Sequence, residues 1–102
     1  MKILVTGSEG SLAQIVIPYL QKDGHEIIGV DNFARYGHIE RERNYEFITG
    51  DLGDTAVVKS IFAGHTFDAV FHFAALIFEN SQINNFFGKI SGIFDIVFFC
   101  HP

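Results

Sequence analysis

Residues 5–13 read Val5-Thr6-Gly7-Ser8-Glu9-Gly10-Ser11-Leu12-Ala13. This segment joins a short apolar run, Ile3-Leu4-Val5, to a stretch from Leu12 to Leu20 whose apolar positions recur with helical spacing. Gly7 stands where a strand must reverse sharply into a helix. Gly10 stands where backbone must come close to a bound anion, and Ala13 where helix and strand pack tightly. A diphosphate lying against the amides at a helix start needs residues without bulky side chains, and Gly-x-x-Gly-x-x-Ala meets that need. The bland alternative is an ordinary strand-to-helix turn. A Walker-type phosphate loop is excluded, because no Gly-Lys-Ser/Thr follows.

Outward from this turn the chain alternates between two periodicities. Lys2 to Thr6 reads as a buried strand, and Ser11 to Lys22 as a helix with Leu12, Ile15, Val16, Tyr19 and Leu20 on its apolar side. Pro18 falls in mid-helix, where a missing N–H favours a bend. Gly24 stops the helix, and Glu26 to Val30 forms a second strand ending in Asp31. A polar loop from Asn32 to Asn44 leads to a third strand, Tyr45 to Thr49. Asp54 caps a helix over Thr55 to Ala63, and Asp68 to Phe73 is a fourth strand. Strands separated by helices in this way predict parallel crossover units.

The tail differs. Six of the twelve phenylalanines lie in the last 27 residues, beside Asn84-Asn85 and glycines at 88 and 92. Glu79 to Phe87 reads as a poor helix and Ile93 to Phe99 as a fifth strand. The expected division is a domain over 1–78 and an atypical apolar tail over 79–102, with a truncated or shifted reading frame as its source.

Size and charge bound the function. A chain of 102 residues has room for one modest core. Its formal charge of -5 offers no basic stripe to neutralise phosphates, so a nucleic-acid partner is excluded. Cys100 is the sole cysteine, which rules out an intrachain disulfide or a thiolate cage and fits a reducing cytoplasm. No apolar stretch reaches the length of a membrane span, so a membrane partner is not expected.

Asp31 ends the second strand 24 residues after Gly7, near the offset at which a carboxylate accepts the hydroxyls of an adenosine ribose. Such a carboxylate repels a 2′-phosphate, which favours NAD over NADP, although Arg35 nearby offsets part of the repulsion. Asp51-Leu52 follows the third strand, beside the place where adenine lies in a doubly wound sheet. A carboxylate accepts from the exocyclic amine there and an apolar side chain covers the ring. Gly50-Asp51-Leu52-Gly53-Asp54 is equally a plain turn. His72-Phe73-Ala74-Ala75 closes the fourth strand, and the small residues at its carboxyl end leave space for a cofactor to cross the sheet. His72 reads as a packed strand histidine, since no acidic partner is indicated by spacing.

Taken together, Val5-Thr6-Gly7-x-x-Gly10, Asp31-Asn32, Asp51-Leu52 and His72-x-Ala74-Ala75 resemble the amino-terminal half of the extended short-chain dehydrogenase/reductases. The likeness is specifically to the NAD-dependent nucleotide-sugar epimerases and dehydratases, over residues 1–78. Ala13 stands where that family usually has a third glycine. The resemblance implies a partial Rossmann-like doubly wound α/β fold with a parallel sheet in the order 3-2-1-4, truncated at its carboxyl end. It implies NAD as cofactor, with Gly7, Ser8, Glu9, Gly10, Ser11 and Leu12 at the pyrophosphate, Asp31 and Asn32 at the ribose, Asp51 and Leu52 at adenine, and Phe73, Ala74 and Ala75 beneath the cofactor.

In such enzymes a tyrosine, with a lysine four residues later, takes a proton from a sugar hydroxyl while a hydride passes to the nicotinamide. The lysine lowers a phenol pKa that is otherwise near 10. Here Tyr19, Tyr36 and Tyr45 are followed at that spacing by Asp23, Glu40 and Thr49, so no catalytic residue can be named. A nucleotide-sugar substrate is expected for a full-length relative, a homodimer is left open, and the chain alone is expected to be inactive. A non-catalytic dinucleotide-binding or redox-sensing module is a second reading. An inert truncated product, its fourth strand left at an open edge, is a third.

Overall fold

The computed structural model describes residues 1–33, 37 and 41–73, and the backbone of 95–98. Its elements run β1 (Lys2–Thr6), α1 (Ser11–Lys22), β2 (Glu26–Asp31), β3 (Glu46–Thr49), α2 (Thr55–Gly64), β4 (Ala69–His72) and β5 (Asp95–Phe98). All strand pairs are parallel, and the sheet order is β3-β2-β1-β4-β5. The expected 3-2-1-4 arrangement is therefore present. β5 lies beside β4, so the expectation of an open edge there is corrected. The helix expected over Glu79 to Phe87 lies outside the described residues.

Alternation along β1 explains the two-sided packing. Ile3 and Val5 face one layer, with Ala13 and Ile17 of α1, Ile27, Ala69 and Phe73. Leu4 faces the other, with Ile28, Val30, Leu52, Val58, Ile61, Phe67 and Val70 beneath α2. A strand buried on both faces has no polar side to show, which is why it reads as an unbroken apolar run. Each fully buried aliphatic side chain contributes about 1.5–3 kcal/mol.

α1 turns a different face inward than its spacing indicated. Ala13 and Ile17 are buried and Val16 and Leu20 pack beside them, whereas Leu12, Ile15 and Tyr19 are exposed. Ala13 is the cause, since a side chain of one methyl lets the helix settle directly on β1. The helix runs unbroken past Pro18, which is exposed. It ends where His25 N–H reaches the Leu20 carbonyl at 3.1 Å and Gly24 adopts φ +89°. α2 begins as expected, with Asp54 Oδ1 accepting from the Ala56 amide at 2.9 Å.

Candidate cofactor site

β1, β2 and β3 all end on the same side of the sheet, and the glycine turn lies across the end of β2. Gly7 has φ +66°, a left-handed conformation suited to glycine. Its amide and that of Ser8 donate to the Val30 carbonyl at 2.9 and 3.3 Å. The Gly10 amide donates to the Gly7 carbonyl at 3.0 Å, and the Glu9 amide to Asp31 Oδ2 at 2.9 Å. All four N–H groups are thus engaged within the protein.

Gly7, Ser8, Glu9 and Gly10, expected at the pyrophosphate, thus have protein acceptors for their amides. They shape the turn and fasten it to β2. The start of α1 lies one step further along. Gly10 is the N-cap of α1 and brings no side chain to cap it, so the amides of Ser11 and Leu12, both exposed residues, have no acceptor within the helix. An uncapped, exposed helix start of this kind suits a phosphate.

Asp31 is held from two sides. Oδ2 accepts from Glu9, and Oδ1 accepts from the Phe33 amide at 2.8 Å. A carboxylate offers about four acceptor positions, so two amides fix its orientation and leave capacity for two ribose hydroxyls. Asn32 is exposed beside it. The Gly50 amide donates to the Asp31 carbonyl at 3.0 Å and draws the turn after β3 against the same end of β2.

In that turn Asp51 is exposed. Its Oδ1 accepts from Gly53 N–H at 2.8 Å and its carbonyl from Asp54 N–H at 2.9 Å. The turn reading of Asp51 is therefore seen directly. Leu52 is 7% exposed and packs in the layer beneath α2. Its side chain leaves water by packing under the helix. Phe73 is also nearly buried, among the residues facing α1, with its amide on the Thr6 carbonyl at 3.0 Å. Ala74 and Ala75, and the Arg35 weighed against a 2′-phosphate, lie outside the described residues.

His72 is the buried strand residue expected, sharing a 2.6 Å hydrogen bond with Thr6 Oγ1. Burial pushes its imidazole down to about 4, so it is neutral at physiological pH.

Sequence reasoning missed a group centred on Glu9. The Glu9 carboxylate, 1% exposed, accepts from Arg43 Nε at 3.1 Å, Arg43 Nη2, and the Tyr45 hydroxyl at 2.9 Å. Arg41 Nε approaches it to 3.3 Å, and Arg41 Nη1 donates to Gln14 Oε1 at 2.9 Å. Burial opposes ionisation of Glu9, but the hydrogen bonds from Arg43 and Tyr45 and the charges of Arg41 and Arg43 outweigh it and hold the carboxyl below its ordinary pKa. Burial pushes the Tyr45 phenol up, as does its bond to Glu9. A second missed residue is Gly29. A Cβ there would meet Ser8 Oγ and Tyr45 Cε2 at 2.7 Å, so the bare backbone of β2 makes room for both. Glycine inside an otherwise apolar strand was the available signal.

Among the described residues no helix is long and apolar enough to cross a membrane. None holds a cluster of three or more His, Cys, Asp or Glu placed for a metal ion.

A parallel sheet with helices on both faces and a glycine turn against an acidic strand end defines a Rossmann-like dinucleotide-binding fold. Residues 3–86 match the model of the NAD dependent epimerase/dehydratase family, and the chain belongs to that family. A curated relative, UDP-glucose 4-epimerase of Halalkalibacterium halodurans, is 36% identical over 75 residues, which is 74% of this chain and 22% of the relative. The solved UDP-glucose 4-epimerase of Thermotoga maritima, determined with UDP-glucose, aligns with TM-score 0.66 and 36% identity over 76% of this chain and 25% of its own. That of Bifidobacterium longum, in complex with NAD+ and UDP, aligns with TM-score 0.64 and 30% identity over 74% and 25%. The chain thus spans about a fifth of the length of that curated relative. NAD is the cofactor of the family.

Proposed function

We propose that this chain is the NAD-binding portion of a nucleotide-sugar epimerase or dehydratase. The observation that carries the reading is Asp31, fixed by the Glu9 and Phe33 amides with acceptor capacity to spare, beside the uncapped start of α1. Asp31 and Asn32 would take the adenosine ribose, the Ser11 and Leu12 amides the diphosphate, and Asp51 the adenine edge. Phe73, Ala74 and Ala75 remain assigned beneath the cofactor. Held by these residues, NAD would supply the hydride chemistry of a longer relative.

These 102 residues hold no Tyr-x-x-x-Lys pair. Tyr45 is no substitute: its hydroxyl is committed to Glu9, and burial makes the phenolate harder to form. We therefore assign the chain cofactor binding without turnover, with the nucleotide sugar as substrate of a longer relative and the cytoplasm as its location. Calorimetry with NAD tests the binding, and incubation with NAD and UDP-glucose tests the inactivity. Absence of NAD binding, or epimerised product from the purified chain, would overturn the respective half.

A further inference from the structure

We propose that Glu9 makes this chain reject a 2′-phosphorylated cofactor by keeping Arg41 and Arg43 captive beside the ribose carboxylate. The inference rests on the NAD-binding reading and names a specificity residue within it.

Glu9 joins the two places at once. Its amide donates to Asp31 Oδ2 at 2.9 Å, while its carboxylate takes both Arg43 nitrogens, Nε and Nη2, on the single oxygen Oε1. Arg41 Nε stands 3.3 Å from the same oxygen. A second path gives the same neighbourhood. The Phe33 amide bonds Asp31 Oδ1 at 2.8 Å, and the Arg43 guanidinium lies 6.0 Å from the centre of the Phe33 ring. Two guanidiniums therefore sit one residue away from the carboxylate assigned to the ribose.

Arginine beside that position is the usual means of accepting a 2′-phosphate. This chain possesses the cations but has tied both to Glu9. Arg41 and Arg43 both turn to the one buried Glu9 carboxylate, which occupies the edges a phosphate would need. The captivity is also geometric: Arg43 lies 4.2 Å over the Phe47 ring, and its Nη1 donates to the Arg41 carbonyl at 3.2 Å. Arg41 Nη1 is held by Gln14, and the Tyr45 hydroxyl steadies the other Glu9 oxygen. Bringing a phosphate dianion here would place it against Asp31 with no guanidinium released to meet it. Replacing Glu9 by glutamine keeps the shape and removes one negative charge, which frees a cation without new atoms.

The test is the ratio of the NADP to the NAD dissociation constant, measured by calorimetry on the whole chain. Glu9→Gln is expected to lower that ratio at least tenfold, and adding Arg43→Met is expected to restore it. A folded Glu9→Gln chain with a ratio within twofold of the parent overturns the inference. If Glu9→Gln does not fold, Arg43→Met in the parent decides: captivity predicts a ratio within twofold, and a tenfold rise shows that Arg43 already serves the phosphate, which overturns the inference. Parent chain that fails to bind NAD removes both this inference and the functional reading; NAD binding with an unchanged ratio in Glu9→Gln removes the inference alone.

Discussion

Glu9 and Asp31, 22 residues apart in sequence, are joined by a 2.9 Å hydrogen bond from the amide of one to the carboxylate of the other. The glycine turn and the acidic end of β2 are in consequence one rigid unit before any ligand arrives, and several measurable outcomes depend on it.

Asp31→Ala removes the acceptor of two amides, those of Glu9 and Phe33. Unfolding in urea should show a loss of about 1–3 kcal/mol. NAD affinity should fall by more than tenfold, since both the ribose acceptor and the order of the turn are lost. Retained affinity would remove Asp31 from the site.

Gly29→Ala places a methyl 2.7 Å from Ser8 Oγ and Tyr45 Cε2 and 2.9 Å from Ser8 Cβ. Ser8 is fully buried and cannot swing aside. A cost of about 1–3 kcal/mol is expected. A displaced Ser8 also shifts the turn, so NAD binding should weaken alongside stability, whereas an ordinary core defect would leave the affinity of the folded fraction unchanged.

Leu52→Ala and Asp51→Ala separate the two members of one sequence pair. The first empties a place among Leu4, Ile28, Val30 and Val58 and should cost about 2–5 kcal/mol of stability. The second alters an exposed turn residue and should cost about 1 kcal/mol or less, with its effect falling on NAD affinity. Equal stability losses would contradict the placement of Leu52.

Acid should destabilise the fold in two stages. His72 is pushed down to about 4, so between its ordinary 6.5 and that value the unfolded chain binds the extra proton. Stability conferred by neutral His72 is complete above pH 6.5 and declines by about 3 kcal/mol as pH falls to 4. Glu9 is held below its ordinary 4.5, so its contribution is present above that value and is lost as pH falls through the lowered one. Urea midpoints at pH 7.5, 5.5 and 4 should fall in that order, and His72→Gln should flatten the first interval. A flat parent profile from 7.5 to 4 would refute the assignment to His72.

The fold was legible because its cues are local. Gly7 at positive φ, Asp54 at an N-cap and Gly24 after a helix each act over a few residues, and the unbroken apolar run of β1 announces a strand covered on both faces. The same logic placed Asp31 at its strand end. Contacts set by tertiary approach were not legible. Nothing in the spacing of Leu12, Ile15 and Tyr19 shows that Ala13 wins the sheet-facing position by being small. Likewise, Glu9, Arg41, Arg43 and Tyr45 meet only because the segment before β3 folds back over the glycine turn, an event with no periodicity to announce it. The Glu9 side chain is for that reason the site residue whose role was least foreseeable.

The sheet order also governs how the chain can assemble. β1 is made first yet lies between β2 and β4, and Ile3 aligns with Ala69. β1 and β2 pair early in synthesis, but the other edge of β1 stays unfilled until His72 has emerged. Closing that long loop is slow compared with making local contacts. Through that interval a nascent chain carries a strand destined for burial on both faces with one ladder of backbone groups unpaired. Conditions that delay β4 should therefore expose the chain to self-association before they affect the finished domain.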